Sequence, residues 1–258
     1  MYTLGIDIGS TTSKCVILKD GKEIIATSLV KAGTGTKGPM RAYHSVFENA
    51  GLSESDMEYT LATGYGRGSF LKKDGEMSEL SCHAKGMHFK VPECRTIIDI
   101  GGQDAKVIQL TETGTIANFV MNDKCAAGTG RFLDVMSAIL QIDIGELENY
   151  AAESNQAVSI SSTCTVFAES EVISQLSQNV KLEDLVAGIC DSVAIRVSSL
   201  AKRIGIREVV CMSGGVAQNG GVRDALAKEL GVSIITTEDA QYIGALGAAI
   251  AAFGKCAK

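Results

Sequence analysis

The stretch Leu4-Gly5-Ile6-Asp7-Ile8-Gly9-Ser10-Thr11-Thr12 decides the fold, because its pattern recurs about ninety residues later as Ile97-Ile98-Asp99-Ile100-Gly101-Gly102-Gln103-Asp104. Each copy is an apolar strand that holds one Asp and runs into a glycine turn followed by small polar residues. Glycine allows such a turn to bring bare backbone N–H groups up to an anion. One strand–Asp–glycine turn is common by itself, but its repetition with the Asp in place indicates two hairpins that grip a polyphosphate.

The two hairpins predict a site for Mg²⁺ with ATP or ADP. The carboxylates of Asp7 and Asp99 are expected to form the catalytic pair and to hold Mg²⁺ through water. Backbone N–H groups, hydroxyls and one lysine are expected to contact the phosphates. These predicted contacts are Gly9, Ser10, Thr11, Thr12, Ser13, Lys14, Gly101, Gly102 and Gln103.

A third glycine motif, Ser213-Gly214-Gly215, follows an apolar strand and precedes a helix. This arrangement places a helix N-terminus beside a bound ligand. A plain strand–helix turn would explain the motif better if it stood alone. As the third motif after two phosphate hairpins it fits an adenosine site, with Gly214 and Gly215 against the nucleoside. Gln241, before the last helix, is either a further nucleotide contact or an ordinary surface residue.

Composition limits the function classes. The 258 residues carry a net charge of −6, which disfavours nucleic acid or an anionic membrane as the main partner. No N-terminal signal is expected, and the longest apolar run, 243–254, is too short to span a bilayer. The chain does not have the character of a small secreted scaffold that depends on disulfides. Its eight cysteines therefore favour the reducing cytoplasm.

The order of apolar strands and amphipathic helices predicts an α/β protein of two lobes. The expected lobes are residues 1–95, joined by a last helix at about 244–258, and residues 96–243, which carry the cysteines discussed next. Within the second lobe the pattern predicts a helix from Ala127 and a strand over 157–160.

Two of the cysteines, Cys125 and Cys164, stand before predicted helices, whereas Cys15, Cys190 and Cys211 read as core side chains. A helix N-terminus lowers a thiol pKa and stabilises an anionic cluster. No Cys-x-x-Cys is present, so one chain does not offer the usual four cysteines. Two thiolates from each of two chains would supply an iron–sulfur cubane. The residues leave one alternative open, which is that the two cysteines merely precede helices and bind no cluster.

The order of the three glycine motifs resembles the superfamily of sugar kinases, actin and heat-shock chaperones. The resemblance implies two ribonuclease-H-like lobes with a nucleotide cleft between them. The segments Asn122-Asp123-Lys124-Cys125-Ala126-Ala127-Gly128-Thr129-Gly130-Arg131-Phe132 and Ser161-Ser162-Thr163-Cys164-Thr165-Val166-Phe167-Ala168-Glu169 narrow it further. They resemble the signature segments of the activators (component A) of 2-hydroxyacyl-CoA dehydratases, a family that includes the ATPase subunits of benzoyl-CoA reductase.

This resemblance implies an oxygen-sensitive cytoplasmic homodimer from anaerobic amino-acid fermentation. One [4Fe–4S] cluster would bridge the subunits, held by Cys125 and Cys164 of each. Reduced ferredoxin or flavodoxin would charge the cluster, and ATP hydrolysis would drive one electron into the dehydratase. Nucleic acid and membrane are not expected partners. The rivals are a small-molecule kinase of the same superfamily and an actin-like ATP switch, neither of which would explain the two cysteines.

Overall fold

A computed structural model describes residues 1–161 and 164–256. The chain divides into two compact units. The first comprises Met1–Arg95, Leu110–Ala117 and Thr237–Lys258, and the second comprises Thr96–Gln109 and Asn118–Thr236. Each unit contains one five-stranded sheet with helices, as expected for an α/β protein with two lobes. The predicted fold class is therefore confirmed at the level of two α/β lobes.

Ten strands and eight helices make up the regular structure of the described residues. The strands are β1 (Tyr2–Ile8), β2 (Ser13–Lys19), β3 (Glu23–Val30), β4 (Met57–Thr63), β5 (Gly75–Glu76), β6 (Thr96–Ile100), β7 (Ala105–Leu110), β8 (Ile116–Asn122), β9 (Val210–Ser213) and β10 (Ile234–Ile235). The helices are α1 (Gly38–Ala50), α2 (Glu79–Lys90), α3 (Gly130–Leu140), α4 (Leu147–Glu153), α5 (Thr165–Ser177), α6 (Leu182–Lys202), α7 (Gly220–Leu230) and α8 (Ile243–Cys256). No helix within these described ranges is both long and apolar enough to cross a bilayer.

The two sheets share one topology. In the first unit the strand order is β3-β2-β1-β4-β5, with β2 antiparallel and β4 parallel to β1. In the second unit the order is β10-β9-β6-β7-β8, with β7 antiparallel and β9 parallel to β6. The strand that carries each repeated Asp is therefore the central strand of its sheet.

Helices cover both faces of the first sheet because successive side chains of a strand point to opposite faces. Leu4, Ile6 and Ile8 of β1 pack in one core with buried residues of α1, including Tyr43 and Phe47. The alternate residues of the sheet face α8, where the core is built from Val16, Leu18, Ala245, Leu246 and Ala249.

Small residues let α8 approach its neighbours closely. A Cβ atom placed on Gly5 of β1 would lie 2.0 Å from the carbonyl oxygen of Ala245. One placed on Gly247 of α8 would lie 1.8 Å from the carbonyl oxygen of Cys82 in α2. The Thr3 hydroxyl donates a hydrogen bond to the carbonyl oxygen of Ala249 at 3.0 Å. The last helix thus completes the core of the first unit.

Two predictions for the second unit are wrong. Residues 157–160 form no strand. The Val158 N–H instead donates to the carbonyl oxygen of Asp184 in α6 at 3.0 Å. Helix α3 begins at Gly130 rather than at Ala127, because Thr129 has an extended backbone (φ −129°, ψ 171°) and occupies the N-cap position. Cys125 therefore lies on the loop before α3 and not at the helix N-terminus.

Replacing Gly247 by Ala should destabilise the first unit. The added methyl group meets the backbone of α2, so we expect the free energy of unfolding to fall by roughly 2 kcal/mol. Gly254→Ala is the matched control in the same helix, because a Cβ there meets nothing within 4 Å. The control should be neutral or slightly stabilising. Urea denaturation measures both, and an unchanged midpoint for G247A would contradict the close packing of α2 and α8.

Candidate functional site

Asp7 lies at the end of β1, directly opposite Lys14 in the β1–β2 register. The Lys14 Nζ atom is 3.5 Å from Asp7 Oδ2. The Asp7 side chain is buried, and its Oδ1 has no hydrogen-bond partner among the described residues. Gly64 closes in behind this oxygen with φ +85°, and a Cβ atom on Gly64 would lie 2.4 Å from Oδ1. The site thus holds a buried carboxylate with one oxygen unsatisfied.

The second unit repeats this arrangement around Asp99. Lys106 stands opposite Asp99 in the β6–β7 register, with Nζ 3.4 Å from Asp99 Oδ2. Lys106 is 1% exposed and also pairs with Asp104 at 2.7 Å. The Ser213 hydroxyl donates to Asp99 Oδ1 at 2.7 Å. Both oxygens of this carboxylate are therefore engaged within the unit.

The hydroxyl residue on the parallel strand distinguishes the two units. Thr63 stands beside Asp7 in the β1–β4 register, as Ser213 stands beside Asp99 in the β6–β9 register. The Thr63 hydroxyl, however, donates to the carbonyl oxygen of Met77 at 3.0 Å. The Asp7 carboxylate consequently lacks the donor that its counterpart has. An orphaned buried oxygen fits a carboxylate that would hold Mg²⁺ through water, since Mg²⁺ prefers oxygen ligands and keeps several waters.

The glycine turns after β1 and β6 have the same internal hydrogen bond. The Gly9 N–H donates to the Thr12 carbonyl oxygen and the Gly101 N–H to that of Asp104, both at 2.9 Å. In the first turn Ser10, Thr11 and Thr12 remain partly exposed. Ser13 is buried, and its hydroxyl donates to the Ala32 carbonyl oxygen at 2.8 Å, which ties the turn to the following loop.

The remaining predicted nucleotide contacts are distributed over the two units. Gln103 is exposed and Gly102 is partly exposed beside Gly101. Gly214 is buried against the β6 backbone, and Gly215 opens a short 3-10 turn that leads towards α7. Gln241 belongs to the first unit, in the 3-10 turn Ala240–Tyr242 that precedes α8. Within the second unit, the register places Ser213, the residue before Gly214, beside Asp99.

The start of α3, which follows the loop that carries Cys125, is hydrogen-bonded to the Gly101–Gly102 turn. The Gly130 N–H donates to the Gly101 carbonyl oxygen at 2.9 Å, and the Arg131 N–H donates to that of Gly102 at 2.8 Å. The buried Thr129 hydroxyl lies 2.6 Å from the Ala126 carbonyl oxygen and 3.3 Å from that of Gly102. The single hydroxyl hydrogen bonds chiefly to Ala126, the residue after Cys125, whose carbonyl oxygen also accepts the Thr129 N–H at 3.1 Å. The Gly102 carbonyl oxygen of the predicted phosphate-binding turn is the longer second contact.

Cys164 is held by a different set of contacts. It is the N-cap residue of α5, and its carbonyl oxygen accepts the Ala168 N–H at 2.9 Å. Upstream, the Ser161 N–H and hydroxyl both donate to Glu171 Oε1 at 3.0 Å. Further upstream, Asp184 of α6 accepts hydrogen bonds from Ser154 Oγ and from two backbone N–H groups. These hydrogen bonds lower the pKa of the Asp184 carboxyl, the largest effect coming from Ser154.

Exposure separates these two cysteines from the other six. Cys125 and Cys164 are exposed free thiols, five of the others are buried, and Cys256 is half-buried. Burial raises the pKa of Cys82 and of Cys190 to about 12, and it also raises the pKa of Cys15. A buried thiol with a raised pKa is a poor source of the thiolate that iron requires. The two exposed cysteines therefore fit the requirements of an iron–sulfur ligand, and Cys164 has the added field of a helix N-terminus.

A model of the BadF/BadG/BcrA/BcrD ATPase family matches residues 4–252. The chain belongs to this ATPase family. The resemblance noted in the sequence and the prediction of an ATPase are thus confirmed.

The relatives of this chain include proteins named as activators of dehydratases. The chain is 61% identical to the (R)-2-hydroxyglutaryl-CoA dehydratase activating ATPase of Acidaminococcus fermentans, over 100% of this chain and 99% of that protein. The solved activator of the 2-hydroxyisocaproyl-CoA dehydratase from Clostridium difficile, with bound ADPNP, is 56% identical with a TM-score of 0.98 and covers 100% of this chain and 96% of its own. A ROK family glucokinase from Streptomyces griseus (TM-score 0.60, 12% identity) covers 98% of this chain and 99% of its own and shares the fold alone.

The contacts of three residues at the candidate site were not predicted from the sequence. Lys106 follows Asp99 by the same interval that separates Lys14 from Asp7, so the spacing was a usable signal. The roles of the Ser213 side chain and of Thr129 had no such signal, because they depend on contacts between segments that are distant in sequence.

The two repeated carboxylates should respond differently to neutralisation. Asp99→Asn removes a charged partner of the buried Lys106, so we expect the free energy of unfolding to fall by about 3 kcal/mol. Asp7→Asn removes a charge whose Oδ1 makes no hydrogen bond, so the expected change is below about 1 kcal/mol. Urea denaturation of the nucleotide-free protein compares the two variants. Equal losses would show that the difference in hydrogen bonding has no energetic consequence.

Proposed function

We propose that this chain is an ATP-dependent one-electron donor that activates a 2-hydroxyacyl-CoA dehydratase. Relatives that match nearly the full length of the chain at 61%, 57% and 54% identity are named as activators of three such dehydratases. The proposed protein is a cytoplasmic homodimer charged by reduced ferredoxin or flavodoxin. Its cofactors are Mg²⁺ with ATP or ADP and one [4Fe–4S] cluster held by Cys125 and Cys164 of both subunits.

The nucleotide-binding residues have distinct proposed tasks. Backbone N–H groups of the turns after Gly9 and Gly101, the free hydroxyls of the first turn and Lys14 would hold the phosphates. Gly214 and Gly215 would lie against the adenosine, where the absence of side chains permits close approach. Asp7 and Asp99 form the catalytic pair. The unsatisfied oxygen of Asp7 makes it the better placed of the two to orient metal-bound water, while Asp99 is held rigid by Ser213 and Lys106.

The hydrogen bonds between the Gly101–Gly102 turn and the Cys125 loop are the observation that carries this proposal. A turn that contacts phosphate in one nucleotide state and relaxes in another would move the carbonyl oxygens to which Gly130, Arg131 and Thr129 are bonded. The Thr129 hydroxyl passes that movement to Ala126, the neighbour of Cys125. Nucleotide hydrolysis is thereby linked to a thiol through contacts within one compact unit.

The cysteine arrangement supports a cluster shared between two copies. When bound, a [4Fe–4S] cluster supplies one-electron redox chemistry, and it needs four thiolates. Each chain offers two exposed thiols. Two chains related by a two-fold axis through the cluster are therefore the simplest source of four thiolates. Val166 and Phe167, in the first turn of α5 beside Cys164, are 65% and 68% exposed. Exposed apolar residues beside a ligand support burial against a second chain.

A small-molecule kinase remains the rival function and has weaker support. The kinases that share the fold do so at 12–14% identity. A kinase mechanism also leaves the two exposed cysteines without a task. Protein purified without oxygen distinguishes the two, because the activator should be brown and should hydrolyse ATP with no sugar acceptor.

Replacing either exposed cysteine by serine should remove the iron. We expect Cys125→Ser and Cys164→Ser to lose the cluster absorbance and, with it, the dimer, because each change leaves only two of the four thiolates in a subunit pair. Cys190→Ser is the control, since that thiol is buried. Iron analysis and size-exclusion chromatography under anaerobic conditions provide the measurement. Full iron content in Cys164→Ser would overturn the proposed ligand set.

Thr129→Val should separate ATP hydrolysis from electron delivery. Removing the hydroxyl breaks its contacts with the carbonyl oxygens of Ala126 and Gly102, while the backbone bonds of Thr129 to Ala126 and of Gly130 and Arg131 to the turn persist. We expect nearly normal ADP affinity by titration calorimetry and normal iron content, but little acceleration by ATP of cluster oxidation by the dehydratase. Thr129→Ser keeps the hydroxyl and should behave like the unaltered protein. A Thr129→Val variant that retains full ATP dependence would refute this route of coupling.

A further inference from the structure

The loop after β4, residues 64–74, packs against the end of β1, although none of the nucleotide contacts proposed above lies on it. The Gly66 N–H donates to the Ile8 carbonyl oxygen at 2.9 Å. A Cβ atom on Gly66 would lie 2.4 Å from Ile8 Cγ2, and one on Gly64 would lie 2.4 Å from Asp7 Oδ1. Because both positions are glycine, the backbone of this loop reaches the strand end that carries Asp7.

Arg67 follows these glycines, and its guanidinium turns back towards Gly64. The Arg67 Nη1 atom donates to the Gly64 carbonyl oxygen at 2.9 Å. Gly64 is the residue that closes in behind Asp7 Oδ1, the oxygen with no hydrogen-bond partner among the described residues. The Arg67 backbone is also fixed, because its carbonyl oxygen accepts a hydrogen bond from Lys73 Nζ at 2.5 Å. The half-buried Arg67 side chain is therefore held at the edge of the Asp7 site within the first unit.

The charge of Arg67 is not matched by a carboxylate. Its guanidinium takes part in no ion pair within the described ranges, and its hydrogen bond goes to a neutral carbonyl oxygen. The acidic residues that follow along the chain are engaged elsewhere. Asp74 accepts the Thr60 N–H at 2.7 Å, and Glu76 pairs with Lys73 at 2.7 Å. Arg67 therefore adds a positive charge to this part of the first unit.

A second cation at the same strand end behaves differently. Lys14 shares its charge with Asp7, since the two side chains pair at 3.5 Å. Arg67 shares its charge with no carboxylate of the described residues. A guanidinium also presents several N–H groups in a planar fork, which suits the oxygens of a phosphate group better than a single ammonium does. Of the two, Arg67 is thus better suited to an additional phosphate charge.

We propose that Arg67 contacts the terminal phosphate of bound ATP. The proposal rests on the function proposed above, in which the turn after Gly9 and the carboxylate of Asp7 hold ATP with Mg²⁺. Water oriented by Asp7 would react at the terminal phosphate, so a cation held beside Asp7 Oδ1 is placed at that end of the nucleotide. The terminal phosphate is the group that ADP lacks. Arg67 would therefore distinguish the two nucleotide states.

Calorimetric titration of the anaerobically purified protein with ADP and with ADPNP, each with Mg²⁺, tests this contact. Arg67→Gln removes the guanidinium, and Lys72→Gln is the control, because it removes an exposed cation of the same loop that pairs with Glu54. We expect Arg67→Gln to weaken ADPNP binding about tenfold and to change ADP binding less than about twofold. Lys72→Gln should change both affinities less than about twofold.

A second variant keeps the test decisive if Arg67→Gln lowers the urea midpoint. Arg67→Lys retains the charge without the planar fork, and it should weaken ADPNP more than ADP, by a smaller factor than Arg67→Gln.

Three outcomes would overturn the contact. Unchanged ADPNP affinity in folded Arg67→Gln would show that Arg67 does not touch the nucleotide. Equal weakening of ADP and ADPNP would assign Arg67 to loop packing or to the inner phosphates. An equal loss of ADPNP affinity in Lys72→Gln would show that only general charge matters. Failure of the nucleotide site itself is distinguishable, because the unaltered protein would then bind neither ADP nor ADPNP.

Discussion

A buried carboxylate at the carboxyl end of a central strand is the constraint on which each unit is built. Such a charge needs a cation, and in both sheets the register supplies a lysine from the antiparallel neighbour. It also needs room, which a glycine with positive φ supplies at the end of the parallel neighbour, Gly64 in one unit and Gly214 in the other. The strand order, the glycine turn after the central strand and the start of the following helix are all arranged around the buried carboxylate.

The two copies of this arrangement have diverged in how completely the charge is satisfied. Asp99 is neutralised by Lys106 and hydrogen-bonded by Ser213, whereas Asp7 retains an unsatisfied oxygen. Duplication of a structural motif therefore need not duplicate its role. One copy serves as a rigid anchor to which the Cys125 loop is tied, and the other keeps unused bonding capacity for a ligand.

Much of the architecture was predictable from the sequence because it depends on local pattern. The alternation in β1 and β6, the glycine turns and the apolar last helix each left a clear signal, and the family motifs marked Cys125 and Cys164. The start of α3 was placed three residues too early because the extended backbone of Thr129, which sets the first helical residue at Gly130, leaves no signal in the local pattern. Hydrogen bonds such as Ser213 to Asp99 join segments over a hundred residues apart, and no local pattern reports them.

The position of α8 has a consequence for the order in which the chain folds during synthesis. The first unit takes its sheet from the beginning of the chain and a central part of its core from the very end. The second unit is contained in the interior and is complete once Thr236 has emerged. Since domains fold as their residues leave the ribosome, the second unit can fold while β1, β2 and β4 still wait for the helix that covers one face. The earliest strands made are therefore the last to be buried, and their apolar face is the surface that a chaperone would have to shield.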